Sequence, residues 1–400
     1  MEVYGIIIFL ISLAVLIYVS RYGLWQSLLV STAILGIFTL NIDTFLKVVM
    51  DTITDTSIIF LTLSVALIPV MGSMMDHSGI MESMVNNTSM KKKNFVIFSP
   101  GILGLLIMPG GALLSAPLIE SGGKGIEANS KAAINVWFRH VFIVIYPLGA
   151  LLATTKMAGL DLYNEILYIF PFFLAMFVSG YVFLLGGIKG NVNKNEKRNA
   201  FKVAIPVFIL LLAPLIHFIL ISIFPDAMSE FFLFIAVVAA LITAIIYSMH
   251  TERYPAIEIS RSAVRIKPWN FGLIIIGMFL FLNTFTSGDV PSSISKIPMN
   301  ITVFLVLLSF LLGIATGRVQ VPVSILLPIY FSEYSASIPP LNFAIMFFSA
   351  FMGYVISPVH PCLNVSLEYF KTNYISVIRI MAIPTLISVI FAVIISVMFA

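Results

Sequence analysis

Runs of 17–25 apolar residues recur along this 400-residue chain, and two of its apolar stretches break at matched places. A run of that length crosses a hydrocarbon core about 30 Å thick. Lipid offers the backbone no hydrogen bonds, so such a chain must fold as helices that satisfy their own N–H and C=O groups. Broken helix is tolerated at that depth only where it packs on protein or lines a cavity. The breaks are therefore the informative part. Residues 103–119 read LGLLIMPGGALLSAPLI and residues 312–328 read LGIATGRVQVPVSILLP, with Gly104 over Gly313 and Ser115 over Ser324. A second interruption follows each: Tyr146-Pro147-Leu148-Gly149 after the first, Ser357-Pro358-Val359-His360 after the second. Matched helix breaks in two halves of a hydrophobic chain point to the binding site of a transporter.

Composition excludes most other classes. The chain is 60% hydrophobic and 10% charged, against roughly 25% charged in soluble domains. The net charge of +4 resides mostly in loops and reads as a topology signal, with no nucleic-acid partner implied. Cys362 is the sole cysteine, which excludes an internal disulfide and a cysteine-based metal cluster. The first residues, MEVYGIIIFL, have no basic region or small-residue cleavage site and read as a retained helix.

The pattern predicts an all-α polytopic membrane protein with about ten spanning helices and two re-entrant hairpins. The spans fall at about 4–20, 24–41, 57–75, 131–153, 164–188, 203–224, 229–249, 270–287, 341–362 and 376–399. Segments 95–121 and 300–334 remain as hairpins, with arms that reach roughly 15–20 Å. In the second, residues 300–316 are just long enough to span, which leaves two full spans as the alternative to a hairpin. Two inverted repeats follow: 1–188, with hairpin 95–121 and broken helix 131–155, and 203–400, with hairpin 300–334 and broken helix 341–366. Residues 189–202 link them on the cytoplasmic side.

With Lys91, Lys92 and Lys93 placed inside, 17 of the 22 basic residues face the cytoplasm and only Lys47, Lys156 and Lys296 face out. Arg139 and Arg318 lie within the membrane. Both termini are then extracytoplasmic, in the plasma membrane. Asp43, Asp51 and Asp55 read as an acidic outer loop.

Arg139 lies about 12 Å into its span, where a lipid-facing arginine costs at least ~2.5–3.5 kcal/mol. It should face a cavity. Arg318 sits at the second hairpin tip, and no acidic residue lies deep in a predicted span to neutralise either charge. An anionic substrate between them accounts for both; helix capping by Arg139 and tip anchoring by Arg318 are the structural alternatives. Pro109, Gly110 and Gly111 let backbone approach that ligand, and the helix starting near Ala112 turns its free N–H groups toward it. Ser115, Gln320 and Ser324 add polar groups from the hairpins, and Ser357, His140 and His360 from the broken helices. Thr154, Thr155, Asn364 and Ser366 follow the two breaks, where oxygens could hold Na⁺ as a coupling ion. No other cofactor and no structural metal are implied. His217 reads as an interhelical hydrogen-bonding residue.

Residues Met108 to Pro117, the pair Arg139-His140, and the run Ser357-Pro358-Val359-His360-Pro361-Cys362 together resemble an uncharacterised prokaryotic integral membrane family. The resemblance covers essentially the whole chain. That family is grouped with the ion-transporter superfamily of gluconate, lactate, citrate and dicarboxylate permeases. The resemblance implies inverted repeats, hairpins, a homodimer in many members and elevator-like movement. The Ser-Asn-Thr tip signature of the sodium–dicarboxylate carriers is absent, so their sodium sites do not carry over.

The expected function is secondary transport of a small organic anion coupled to Na⁺ or H⁺. The alternatives are a cation/proton antiporter and a flippase for a phosphate-bearing lipid carrier. An enzyme is disfavoured: there is no His-Glu-x-x-His, Gly-x-Gly-Asp or Walker lysine loop.

Overall fold

Asn41, Asp55, Asp161 and Asn373 each accept a hydrogen bond from a backbone N–H two or three residues on, and each starts a helix. The computed structural model describes residues 2–20, 22–80, 83, 91–105, 112–190, 200–251, 255, 258, 261, 264–288 and 299–400, and these are helical almost throughout. The first half contains α1 (Glu2–Ser20), α2 (Leu24–Thr39), α3 (Ile42–Thr54), α4 (Thr56–His77), α5 (Lys92–Gly104), α6 (Ala112–Gly122), α7 (Ala128–Ile143), α8 (Ala150–Ala158) and α9 (Leu162–Leu184). The second contains α10 (Ala200–Ile223), α11 (Ser229–Thr251), α12 (Trp269–Ser287), α13 (Val303–Thr316), α14 (Gln320–Glu333), α15 (Pro340–Ile356), α16 (Pro361–Tyr369) and α17 (Tyr374–Phe399). The first turns of α13 are π-helical over Val303–Leu308.

Among the described residues, seven helices are long and apolar enough to cross a membrane, with the broken pair α15–α16 taken as one. With α1, α2 and the broken pair α7–α8, they occupy the ten expected spans. Large apolar side chains such as Val178, Phe183, Ile223 and Val397 lie exposed on these helices, as a surface bathed in lipid requires.

Residues 42–54 depart from the expected acidic loop. They form α3, with Asp43 and Asp51 on its surface and Asp55 at the start of α4. Ile42, Leu46, Met50 and Ile53 recur at helical spacing and are all exposed. A short helix with one apolar and one charged face suits the membrane–water interface. Acidic residues interleaved with this stripe give the segment its loop-like sequence.

Two pairs of shorter helices, α5–α6 and α13–α14, fall in the segments where the hairpins are expected. Their arms are 11 to 14 residues long, or roughly 16–21 Å, too short to span. The second turns at Gly317, whose φ of 60° lies in the left-handed region that favours glycine.

Packing is reciprocal between the halves. α4 packs on α11 and α12 on α2; α5 packs on α7 and α13 on α15; α6 packs on α16 and α14 on α8; α7 packs on α17 and α15 on α9. The glycines repeat the pattern. A Cβ at Gly104 would lie 2.6 Å from the Arg139 carbonyl oxygen, and one at Gly313 would overlap that of Ala350. Arg139 and Ala350 each lie eight residues before the proline of their break, Pro147 or Pro358.

Three of the basic residues assigned to one side, Lys92, Lys124 and Lys131, sit around the ends of α5, α6 and α7. Lys92 donates from its side chain to the Lys124 carbonyl (2.8 Å) and from its backbone to Gly190 (3.0 Å), and Lys131 pairs with Glu120 at 2.8 Å. Lys156, at the far end of α7–α8, pairs with Glu230 at 2.6 Å. In a Cys362→Ser background, single cysteines at Lys92 and Lys156 should label from opposite sides of the membrane, Lys92 from within. Labelling of both by an impermeant reagent outside whole cells would overturn that orientation.

Candidate functional site

The break between α15 and α16 is held from both halves. Ser357 donates to the Ile314 carbonyl of α13 (2.6 Å) and accepts from the Val359 N–H (3.3 Å), and Gly317 lies against Val359 and Ser357. This seats the second hairpin tip on the break. His360, the last residue before α16, is wholly buried. Its ring lies 4.1 Å from that of Tyr354 and 4.6 Å from that of His140, centroid to centroid. His140 comes from α7, one residue after Arg139. Its Nδ1 lies 2.6 Å from the Val136 carbonyl oxygen and its Nε2 3.2 Å from the Tyr354 hydroxyl. A buried polar centre thus joins the broken helices of both halves.

Arg139 is 2% exposed and Arg318 half-buried. Arg139 precedes His140 on α7, and Arg318 follows Gly317 at the turn that lies against Ser357 and Val359. The structure therefore brings together Arg139, His140, Arg318, Ser357 and His360. The hairpin serines take part in their helices' own bonding: Ser115 donates to the Ala112 carbonyl (3.3 Å), and Ser324 to that of Gln320 (2.8 Å), with the Met157 sulfur at 3.8 Å. Both are buried. Pro109, Gly110 and Gly111 lie outside the described residues.

The four oxygen-bearing candidates for a coupling ion divide between two segments. Thr154 and Thr155 are on α8 and donate to its own carbonyls. Asn364 and Ser366 are on α16; Asn364 is exposed and donates to the Pro358 carbonyl, and Ser366 is buried and donates to that of Cys362. α8 packs on α14, whereas α16 packs on α6. His217 bonds Tyr163 and Ser229 between α9, α10 and α11, as its reading required. A cavity of about 320 Å³ opens beside it, lined also by Lys156, Asp161 and Glu230 and remote from the histidine pair in the helix order.

Two site residues escaped the sequence reading. Tyr354 looked like one more aromatic in an apolar span. Asn135 is wholly buried and donates to the Ala112 carbonyl (3.3 Å) and to the Ser366 hydroxyl (3.0 Å), joining α7 to α6 and α16. Its Oδ1 has no hydrogen-bond partner among the described residues. The available signal was its spacing, four residues before Arg139 and so on the same helix face. Asn135→Ala strands the groups it serves, and a lost buried hydrogen bond of this kind costs about 1–3 kcal/mol. The detergent-solubilised variant should melt measurably lower than wild type; an unchanged melting temperature would rule out the bridging role.

No curated protein matches the chain. The family profile described as "Protein of unknown function (DUF401)" matches residues 3–399, nearly the entire sequence, and the chain belongs to that family.

Proposed function

We propose that this protein is a secondary transporter for a small organic anion, related to the ion-transporter superfamily and resident in the cell membrane with both termini outside. The observation that carries this reading is the buried His140–Tyr354–His360 cluster at a helix break, with Arg139 preceding His140 on α7 and Arg318 following Gly317, which lies against Ser357 and Val359. Two cationic groups from opposite halves of the chain favour an anion there. The start of α16 at Pro361 adds the positive end of a half-helix. The returning hairpin arms, α6 and α14, pack on α16 and α8 of the opposite halves, which suits one central site approached from both sides.

Alternating access by an elevator movement fits the division of the packing. Helices α1, α2, α4, α10, α11 and α12 pack chiefly on one another, and the hairpins, broken helices, α9 and α17 form a second body. The first set is the scaffold in this reading and offers a homodimer surface; the second is the moving core.

Glu165 favours H⁺ over Na⁺ as the coupling ion. It is wholly buried near the start of α9, and neither carboxylate oxygen has a hydrogen-bond partner among the described residues. It stands in the first turn of α9, and a buried carboxyl group placed there can take up and release a proton.

Thermal unfolding of the purified protein against a panel of small organic anions, each with and without Na⁺, tests the proposal. A ligand at 100 times its Kd stabilises by about 2.7 kcal/mol, and at least one anion should raise the melting temperature. Stabilisation by a monovalent cation alone would replace the proposal with the antiporter, and no response to any anion would remove its support. With a transported anion in hand, Glu165→Gln should abolish the dependence of uptake on a proton gradient. Retention of that dependence would exclude Glu165 as the carrier.

A further inference from the structure

We propose that His140, His360 and Cys362 form a binding site for a thiophilic d¹⁰ metal ion, clamping the broken helix of the first half to that of the second. One ring nitrogen of each histidine and the Cys362 sulfur all lie within 4.8 Å of one another. Zinc or monovalent copper bonds such donors at about 2.0–2.3 Å, which sets the donors about 3.3–4 Å apart. A modest closure of the half-buried Cys362 side chain completes that geometry.

Backbone carbonyls behind the two rings prepare the donors. Nδ1 of His140 faces the Val136 carbonyl at 2.6 Å, and Nδ1 of His360 faces that of Val355 at 3.2 Å. A ring nitrogen facing a carbonyl oxygen carries the proton and donates it, which leaves the lone pair on Nε2 of each ring. Metal-binding histidines are oriented by this kind of contact. His140 Nε2 has the Tyr354 hydroxyl at 3.2 Å. His360 Nε2 is buried with no hydrogen-bond partner among the described residues. That orphaned acceptor, two residues from a thiol, is the independent sign of a ligand.

Imidazole and thiolate together select zinc or monovalent copper over hard cations. On binding, the Cys362 thiol gives its proton to water and the thiolate bonds the metal. The nearby Arg139 and Arg318 charges disfavour added positive charge, so the monovalent ion suits the site better. A bound ion joins α7 to the α15–α16 break and holds the two halves in one arrangement. The site does not depend on the transport reading, because metal binding is measured with no organic anion present.

Cys362 is the sole cysteine, so thiol labelling of the whole protein reports this one position. Micromolar Zn²⁺ should slow maleimide labelling at least tenfold with one ion per chain, and Cu⁺ affinity is read by competition with a calibrated chelator. His140→Gln and His360→Gln should each weaken binding of the preferred ion at least tenfold. Protection by Zn²⁺ identifies zinc; binding of Cu⁺ alone identifies monovalent copper. Should the histidine variants not fold, wild-type protein loaded with Co²⁺ decides the zinc arm through its thiolate charge-transfer absorption. For copper, the X-ray absorption of the Cu⁺-loaded wild type must show nitrogen as well as sulfur ligands. Failure of wild type to bind either ion, wild-type affinity in both histidine variants, or sulfur ligation without nitrogen overturns the proposal.

Discussion

Arg139→Gln and Arg318→Gln should each weaken binding of a stabilising anion by about 30-fold to several thousand-fold, the range for removing one partner of a buried, hydrogen-bonded charge pair at 2–5 kcal/mol. Arg318 is half-buried at a hairpin tip, so its variant should stay folded and show the loss as binding alone. Arg139 is 2% exposed on α7, and its backbone carbonyl packs against Gly104. Its variant therefore needs a folding readout beside the binding assay. Isothermal titration with an anion found in the thermal screen checks both. Normal affinity in both variants defeats the anion cradle, whereas unfolding of Arg139→Gln with intact binding in Arg318→Gln assigns both residues to structure.

Valine at Gly353 or Gly313 should give little or no folded protein. The two glycines face each other's helices reciprocally: a Cβ at Gly353 would overlap the Phe310 carbonyl of α13, and one at Gly313 that of Ala350 on α15. The obstacle is backbone in both cases, so no rotamer change relieves it and the helices must separate. Overpacking costs about 1–3 kcal/mol and occasionally more; a backbone obstacle places these variants at the upper end. Alanine should already lower the melting temperature at either position. Because one contact is involved, the double alanine variant should cost less than the two singles added. Gly187 provides the control, since a Cβ there meets nothing within 4 Å. Wild-type melting of Gly353→Ala would show that the crossing is looser than described.

The residues that could be read in advance were those whose meaning is local. Pro147 and Pro358 interrupt a helix whatever surrounds them, and Gly317 permits the left-handed turn that ends α13. Arm length and the Pro/Gly tip are what make 95–121 read as a hairpin. Arg139 and Arg318 stood out because charge in an apolar run is costly wherever the helix packs. Asn135 and Tyr354 gave no such signal. An amide or a phenol is tolerable in many membrane helices, and its role depends on which carbonyl or hydroxyl another segment brings to it. For Asn135, that partner is Ser366, far along the chain.

By itself, then, the sequence determined an all-helical membrane protein and the places where helices break. Each follows from the solvation of apolar and backbone groups, which a short window of residues decides. Only the tertiary structure decided that α3 is a helix with an exposed apolar stripe and that His140, Tyr354, His360 and Cys362 meet. Those arrangements depend on helix packing between the halves, above all on glycines that let backbones approach, and no local pattern encodes which surfaces will meet.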